Sequence, residues 1–287
     1  MAPGGDGGRV KIPVGIPDLD RDLNGGVSPG ATILPIGPMG TGPTEFARSA
    51  AIMHGNWQAE SELFELEYGD LDPGVTRPAN VRYYSVVDSP ARLRLQMEEL
   101  ADPEWVETAL ANITVHSLAD AVADLGSIRV TPEGSFAYGE ATDDNPYQAF
   151  LRAFGDRLTG DLSNDLVIVD SITDFVPMMH RYLSPTDLFF TAQTLCHRIE
   201  ASDSVLLSPA TAEFLSGQER AFVERPFDTV LRCDWFGEGS RQRRTIELTK
   251  FPEYWIENPT AERVVFDVAL DRDRFGISTV EKIPPSG

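Results

Sequence analysis

Lysine is nearly missing from this chain: only Lys11, Lys250 and Lys282 occur in 287 residues, and every other basic residue is arginine. Cysteine is scarcer still, with Cys196 and Cys233 alone. Two thiols exclude a disulfide framework and a four-thiolate metal site. Cys196 falls on the apolar face of a predicted helix, where a buried thiol is expected. His54, His116, His180 and His197 are scattered, without the paired spacing of a metal motif. No apolar run approaches the roughly 18 residues needed to span a bilayer. The Gly-rich start, Met1 to Gly8, lacks the basic-then-apolar order of a signal peptide. We read residues 1–9 as a flexible tail and expect a cytoplasmic protein without membrane insertion.

Acid is what the chain has in excess. Asp and Glu number 45 against 24 Lys and Arg, for a net charge of −21. An acidic, lysine-poor surface suits a salty cytosol, where carboxylates hold water and screening blunts their repulsion. The same field opposes general nucleic-acid binding, which needs clustered Lys and Arg.

The apolar pattern predicts an α/β fold. Ala31 to Ile36 reads as a buried strand running into a Gly-rich turn, followed by a helix from Pro43 with Phe46, Ala50 and Met53 on one face. Strands are expected at Val81–Val87, Ile113–His116, Leu166–Val169 and Ser204–Leu207. Helices are expected at Pro90–Leu100, around Tyr147, Phe150, Phe154 and Leu158, and at Pro185–Ala201. This alternation indicates a mainly parallel sheet covered by helices on both sides. Three strands then follow without helices between them, at Phe227–Phe236, Arg244–Lys250 and Arg263–Leu270, with Gly237 and Gly239 turning the first pair. We expect one domain over residues 10–283, with an antiparallel C-terminal portion. The acidic stretch 58–80 reads as a surface excursion and the segment 124–145 as a loop or hairpin, both open to partner contact.

The turn after the first strand is Gly37-Pro38-Met39-Gly40-Thr41-Gly42-Pro43-Thr44. A P-loop has the form G-x-x-x-x-G-K-[ST] between a strand and a helix. Both glycines, the threonine and the context fit, while Pro43 replaces the lysine. Proline is tolerated in the first turn of a helix, so the loop keeps its shape. It removes an N–H and an ammonium, each of which would face a phosphate. Losing one charge-assisted hydrogen bond of roughly 1.5–3 kcal/mol weakens binding about ten- to a hundred-fold. Asp170 ends the apolar strand Leu166-Val167-Ile168-Val169, the place of a Walker-B carboxylate that would hold Mg²⁺ with Thr44.

Upstream stand Gly15-Ile16-Pro17-Asp18-Leu19-Asp20, then Leu23-Asn24-Gly25-Gly26-Val27 and Pro29-Gly30. With Asp170-Ser171-Ile172-Thr173 and the C-terminal strand pair, these segments resemble KaiC-like proteins of the RecA superfamily. Six of the eight P-loop positions match that family's G-P-P-G-T-G-K-T. The resemblance covers about residues 10–280. It implies a RecA-like fold with ATP or ADP and Mg²⁺ bound between neighbouring subunits, and it admits a hexameric ring. It assigns nucleotide contacts to Gly37, Pro38, Met39, Gly40, Thr41, Gly42, Thr44 and Glu45, and metal contacts to Thr44 and Asp170. The family's paired water-activating Glu is here Val87-Asp88, which leaves Asp88 as the catalytic candidate. Its trans-acting K-x-R is Lys250-Phe251-Pro252, so only Lys250 remains to reach a neighbour's phosphate. Three altered positions point to a regulatory or scaffolding protein with protein partners and a degenerate pocket that binds ATP or ADP weakly or not at all. The alternative is an ATPase using Lys250, Arg241, Arg243 or Arg244 in trans. A recombinase-like DNA-binding role is opposed by the charge.

Overall fold

The computed structural model describes residues 10–125, 128–130, 136–138, 150, 154–155, 157–158, 161–176, 180, 184–237, 242–258, 263–271 and 274–283. The expected tail 1–9, most of the 124–145 segment, Tyr147, Gly239 and Arg241 lie outside the described residues.

The central sheet is built on β1 (Thr32–Gly37), β2 (Val81–Ser85), β3 (Thr114–Ser117), β6 (Leu166–Asp170) and β7 (Val205–Leu207), preceded in the chain by a short helix α1 (Pro17–Asp22). Two short strands, β4 (Ile128–Val130) and β5 (Phe136–Tyr138), pair antiparallel apart from it. A two-residue strand, β8 (Ala210–Thr211), pairs with the end of β1. The C-terminal half adds β9 (Thr229–Phe236), β10 (Arg243–Lys250), β11 (Arg263–Asp271) and β12 (Arg274–Ile283). The order across the sheet is β12-β11-β10-β9-β1-β7-β6-β2-β3. Pairings from β9 through β3 are parallel, and those from β9 to β12 are antiparallel. The mainly parallel sheet with antiparallel C-terminal strands is therefore as the sequence predicts.

Continuous apolar runs form the central strands because both faces are covered. Ile33, Tyr83, Ile168 and Leu207 face one core; their neighbours Leu34, Tyr84, Val167 and Leu206 face the other. On the first face lie α2 (Pro43–Gln58), α4 (Pro90–Glu98) and α5 (Pro103–Asn112). Gly55 of α2 lies so close to α5 that a Cβ there would meet Ala109 Cα at 2.7 Å. The second face is covered by α6 (Ala119–Leu125), by α7 (Pro185–Glu200), whose Leu188, Ala192, Leu195 and Ile199 point inward as predicted, and by Val223 of α8 (Gly217–Glu224). Cys196 is buried, matching its expected role.

Two expectations need correction. The 58–80 stretch is not a simple surface excursion: it contains α3 (Glu62–Tyr68), whose Leu63 and Phe64 are buried. Phe64 stacks on Trp57 at 4.2 Å between ring centroids, and Tyr68 stacks on Phe64 at 4.5 Å. The C-terminal portion also holds a fourth strand, β12, whose Phe275 meets Phe46 of α2 edge-on at 5.6 Å.

Candidate functional site

Gly37-Pro38-Met39-Gly40-Thr41-Gly42 joins β1 to α2, at the edge where the parallel strands end. Ser85 is level with both Asp170 and Ser117, so β2, β6 and β3 finish together beside that loop. This edge is where open α/β sheets place their ligand sites.

The loop's glycines have distinct reasons. A Cβ at Gly37 would lie 2.3 Å from the Cys233 carbonyl oxygen and 2.6 Å from Thr41 Oγ1. Gly40 and Gly42 have φ of +79° and +109°, a region that disfavours side chains. Gly42 caps α2, and Pro43 occupies the first turn of that helix. Thr41 is fully buried, and its hydroxyl donates to the Pro38 carbonyl at 2.6 Å. Thr44 and Glu45 follow in the first turn, both partly exposed.

The loop is engaged by two side chains from distant segments. Glu213, in a 3₁₀ turn after β8, accepts from the Met39 N–H through both carboxylate oxygens, at 3.0 and 3.1 Å. Arg244 of β10 donates its Nε–H to the Gly40 carbonyl at 2.7 Å, while its guanidinium lies 4.8 Å from the Trp235 ring centroid.

Asp170 is buried, and its Oδ2 accepts from the Tyr83 hydroxyl at 2.5 Å. Burial pushes its carboxyl up to about 6, against the pull of Arg48 and Tyr83, while Asp174 and Asp88 push the same way as burial. Asp88 follows β2. Its carbonyl accepts from the hydroxyls of Ser85 and Ser117, which fixes the loop at the strand ends. Asp174 accepts from the N–H and hydroxyl of Ser171, and burial raises its carboxyl as well.

Between these carboxylates stands Arg48 of α2. One terminal nitrogen lies 3.3 Å from Oδ2 of Asp170 and 3.3 Å from Oδ2 of Asp88. Burial opposes the guanidinium charge, but Asp170, Tyr83 and Asp88 outweigh it and hold the group charged. Asp170 Oδ2 is already taken by a hydroxyl and a cation, so a divalent cation on that oxygen would have to displace Arg48. Among the described residues, no three His, Cys, Asp or Glu are grouped to hold a metal.

Val87 is exposed, with Asp88 beside it half-buried. Lys250 is level with Val230, which in turn is level with Leu34, so it lies toward the opposite edge of the sheet from the chain's own P-loop. Its ammonium donates to the carbonyls of Arg225, at 2.9 Å, and Phe227. Arg243 pairs with Asp267. The structure thus gathers Asp88, Asp170 and the P-loop along one edge and leaves Lys250 away from them.

Sequence reasoning missed Arg48, Tyr83, Asp174 and Glu213, and offered Arg244 only as a residue acting on a neighbour. Arg48 was accessible in principle: it sits four residues after Thr44 on the same helix face. Glu213 carries no local signal, since it meets Met39 across 174 residues.

The motif from Gly15 to Asp20 is explained by structure. Asp20 is buried and accepts from the N–H groups of Val14, Gly15 and Ile16 at 2.5, 3.0 and 3.1 Å, and from the Tyr68 hydroxyl. It ties the incoming chain onto α1.

The crystal structure of flagellar accessory protein FlaH from Methanocaldococcus jannaschii matches with a TM-score of 0.54, covering 92% of this chain and 95% of that one at 18% identity. The fold is RecA-like. No protein-family model matches the chain. No curated protein matches it in sequence. Among the described residues, no helix of this RecA-like fold is long and apolar enough to cross a membrane.

Proposed function

We propose that the chain is a regulatory or scaffolding protein of KaiC-like type. Its P-loop holds ATP or ADP weakly and does not turn it over. The observation that carries this reading is Pro43 in the first turn of α2, in an otherwise well-formed phosphate loop. The loop retains its left-handed glycines but lacks the lysine that stabilises transferred phosphate. Glu213 adds negative charge at the Met39 amide, which opposes phosphate there. Exposed Val87 can neither take a proton nor orient water.

The trans-ATPase alternative would need Lys250, Arg243 or Arg244 to leave contacts within its own chain. Lys250 bonds two carbonyls of its own chain, and Arg244 bonds its own P-loop. The protein works in a salty cytoplasm through protein partners, either alone or as a homo-oligomeric ring.

Calorimetric titration of ATP and ADP into the native chain and Pro43→Lys, in high-salt buffer beside a phosphate-release assay, tests the reading. Weak binding is expected in the native chain, tightened about ten- to a hundred-fold in the variant. Phosphate release should stay at background in both. Robust hydrolysis by the native chain would sink the proposal.

A further inference from the structure

We infer that Arg48 is the built-in cation of this site, and that nucleotide held by the P-loop is bound without a divalent metal. The inference rests on the functional reading above and concerns the same pocket. Arg48 lies one helical turn beyond Thr44, and long helical side chains lean toward the helix N-terminus. Its guanidinium ends between Asp88, after β2, and Asp170, at the end of β6, the carboxylate that with Thr44 would hold a metal.

One oxygen of each carboxylate there is engaged. Asp170 Oδ2 takes the Tyr83 hydroxyl and Arg48, Asp88 Oδ2 takes Arg48, and Asp174 Oδ2 takes the N–H and hydroxyl of Ser171. Mg²⁺ demands near-octahedral oxygen ligands at about 2.0–2.1 Å. A guanidinium nitrogen 3.3 Å from Oδ2 of both Asp88 and Asp170 competes with any such ion for those two oxygens. Displacing Arg48 would strand a largely buried charge, for its side chain is only 12% exposed. A covalently attached cation already offsets the carboxylates that would otherwise draw a divalent ion there.

The test counts Mn²⁺ bound to the full chain by electron paramagnetic resonance, with and without excess ADP. The proteins are the native chain, Asp170→Asn, Arg48→Gln and the double variant. Weak Mn²⁺ binding to the acidic surface is common to all four and cancels in the comparison. Native and Asp170→Asn proteins should bind equal Mn²⁺, whereas Arg48→Gln should gain one ion that the double variant loses. Separately, the affinity of the native chain for fluorescent ADP should change less than about three-fold between EDTA and Mg²⁺ buffers. An Asp170-dependent Mn²⁺ in the native chain, or an increase of about ten-fold or more in ADP affinity with Mg²⁺, overturns the inference. If Arg48→Gln does not fold, the native and Asp170→Asn counts decide alone, with Asp88→Asn as the second comparison. Absence of ADP binding in either buffer would count against the functional reading, while the ADP-free Mn²⁺ counts still decide the cation's identity.

Discussion

The Glu213 carboxylate and the Met39 amide meet across 174 residues, with both oxygens within 3.1 Å of a nitrogen that a phosphate would otherwise approach. The contact is exposed, so its strength is set by screening as much as by distance. Glu213→Gln removes the negative charge and should raise ADP affinity about three- to ten-fold at low salt, with a smaller gain in high salt. Titration at two ionic strengths checks both the direction and its salt dependence.

Gly15 has φ of +99°, and a Cβ there would lie 2.8 Å from Ala50 Cα on α2. Gly15→Ala should lower stability by about 2–4 kcal/mol, through combined backbone strain and overpacking. Urea denaturation would read this directly, and an unchanged midpoint would show that the loop relaxes freely.

Lys250→Met should lower stability by about 1–2 kcal/mol, because two carbonyls lose a charged donor. Nucleotide affinity should stay unchanged. A loss of affinity in the assembled protein, with stability intact, would instead mark Lys250 as a residue acting on a neighbouring subunit.

His54 and Asp20 pull stability in opposite directions with pH. His54 is buried with Nε2 bonded to the Pro13 carbonyl, and burial lowers its pKa from 6.5 to about 4. Between those values the unfolded chain binds the extra proton, so this group's contribution falls as pH drops. Burial raises Asp20 from 3.8 to about 6, despite its four hydrogen bonds. There the folded chain binds the extra proton, so that contribution grows as pH drops through the same window. His54→Gln removes the first effect, worth about 2 kcal/mol at pH 5. The variant should therefore be less stable than native at pH 7 but close the gap, or reverse it, at pH 5. Denaturant midpoints at the two pH values decide the matter.

The parallel core was legible because buried strands such as Leu166–Asp170 write themselves as unbroken apolar runs ending at a polar residue. The phosphate loop was legible because Gly40 and Gly42 answer to their left-handed backbone, which holds whatever packs around them. Other elements were missed for physical reasons. α3 lies in an acidic stretch, and its buried Phe64 is explained only by the stack with Trp57. α8 does carry a visible signal, the Ser216 and Glu219 capping box, which its short length and polar faces obscured. The charges around Asp170 could not be assigned from spacing, because Tyr83, Arg48 and Asp170 come together only when β2, α2 and β6 pack. Resemblance gave a role for Asp170; packing supplied its companions.

Trp235 stands beside the loop, 37% exposed, with Cζ2 3.6 Å from where a Gly40 side chain would begin. The other three indoles are placed differently: Trp57 is stacked on Phe64, and Trp105 and Trp255 pack against the core. The chain thus carries an intrinsic optical gauge. Emission from Trp235 senses what enters or leaves the turn after β1, and a Trp235→Phe variant supplies the blank against which that signal is read.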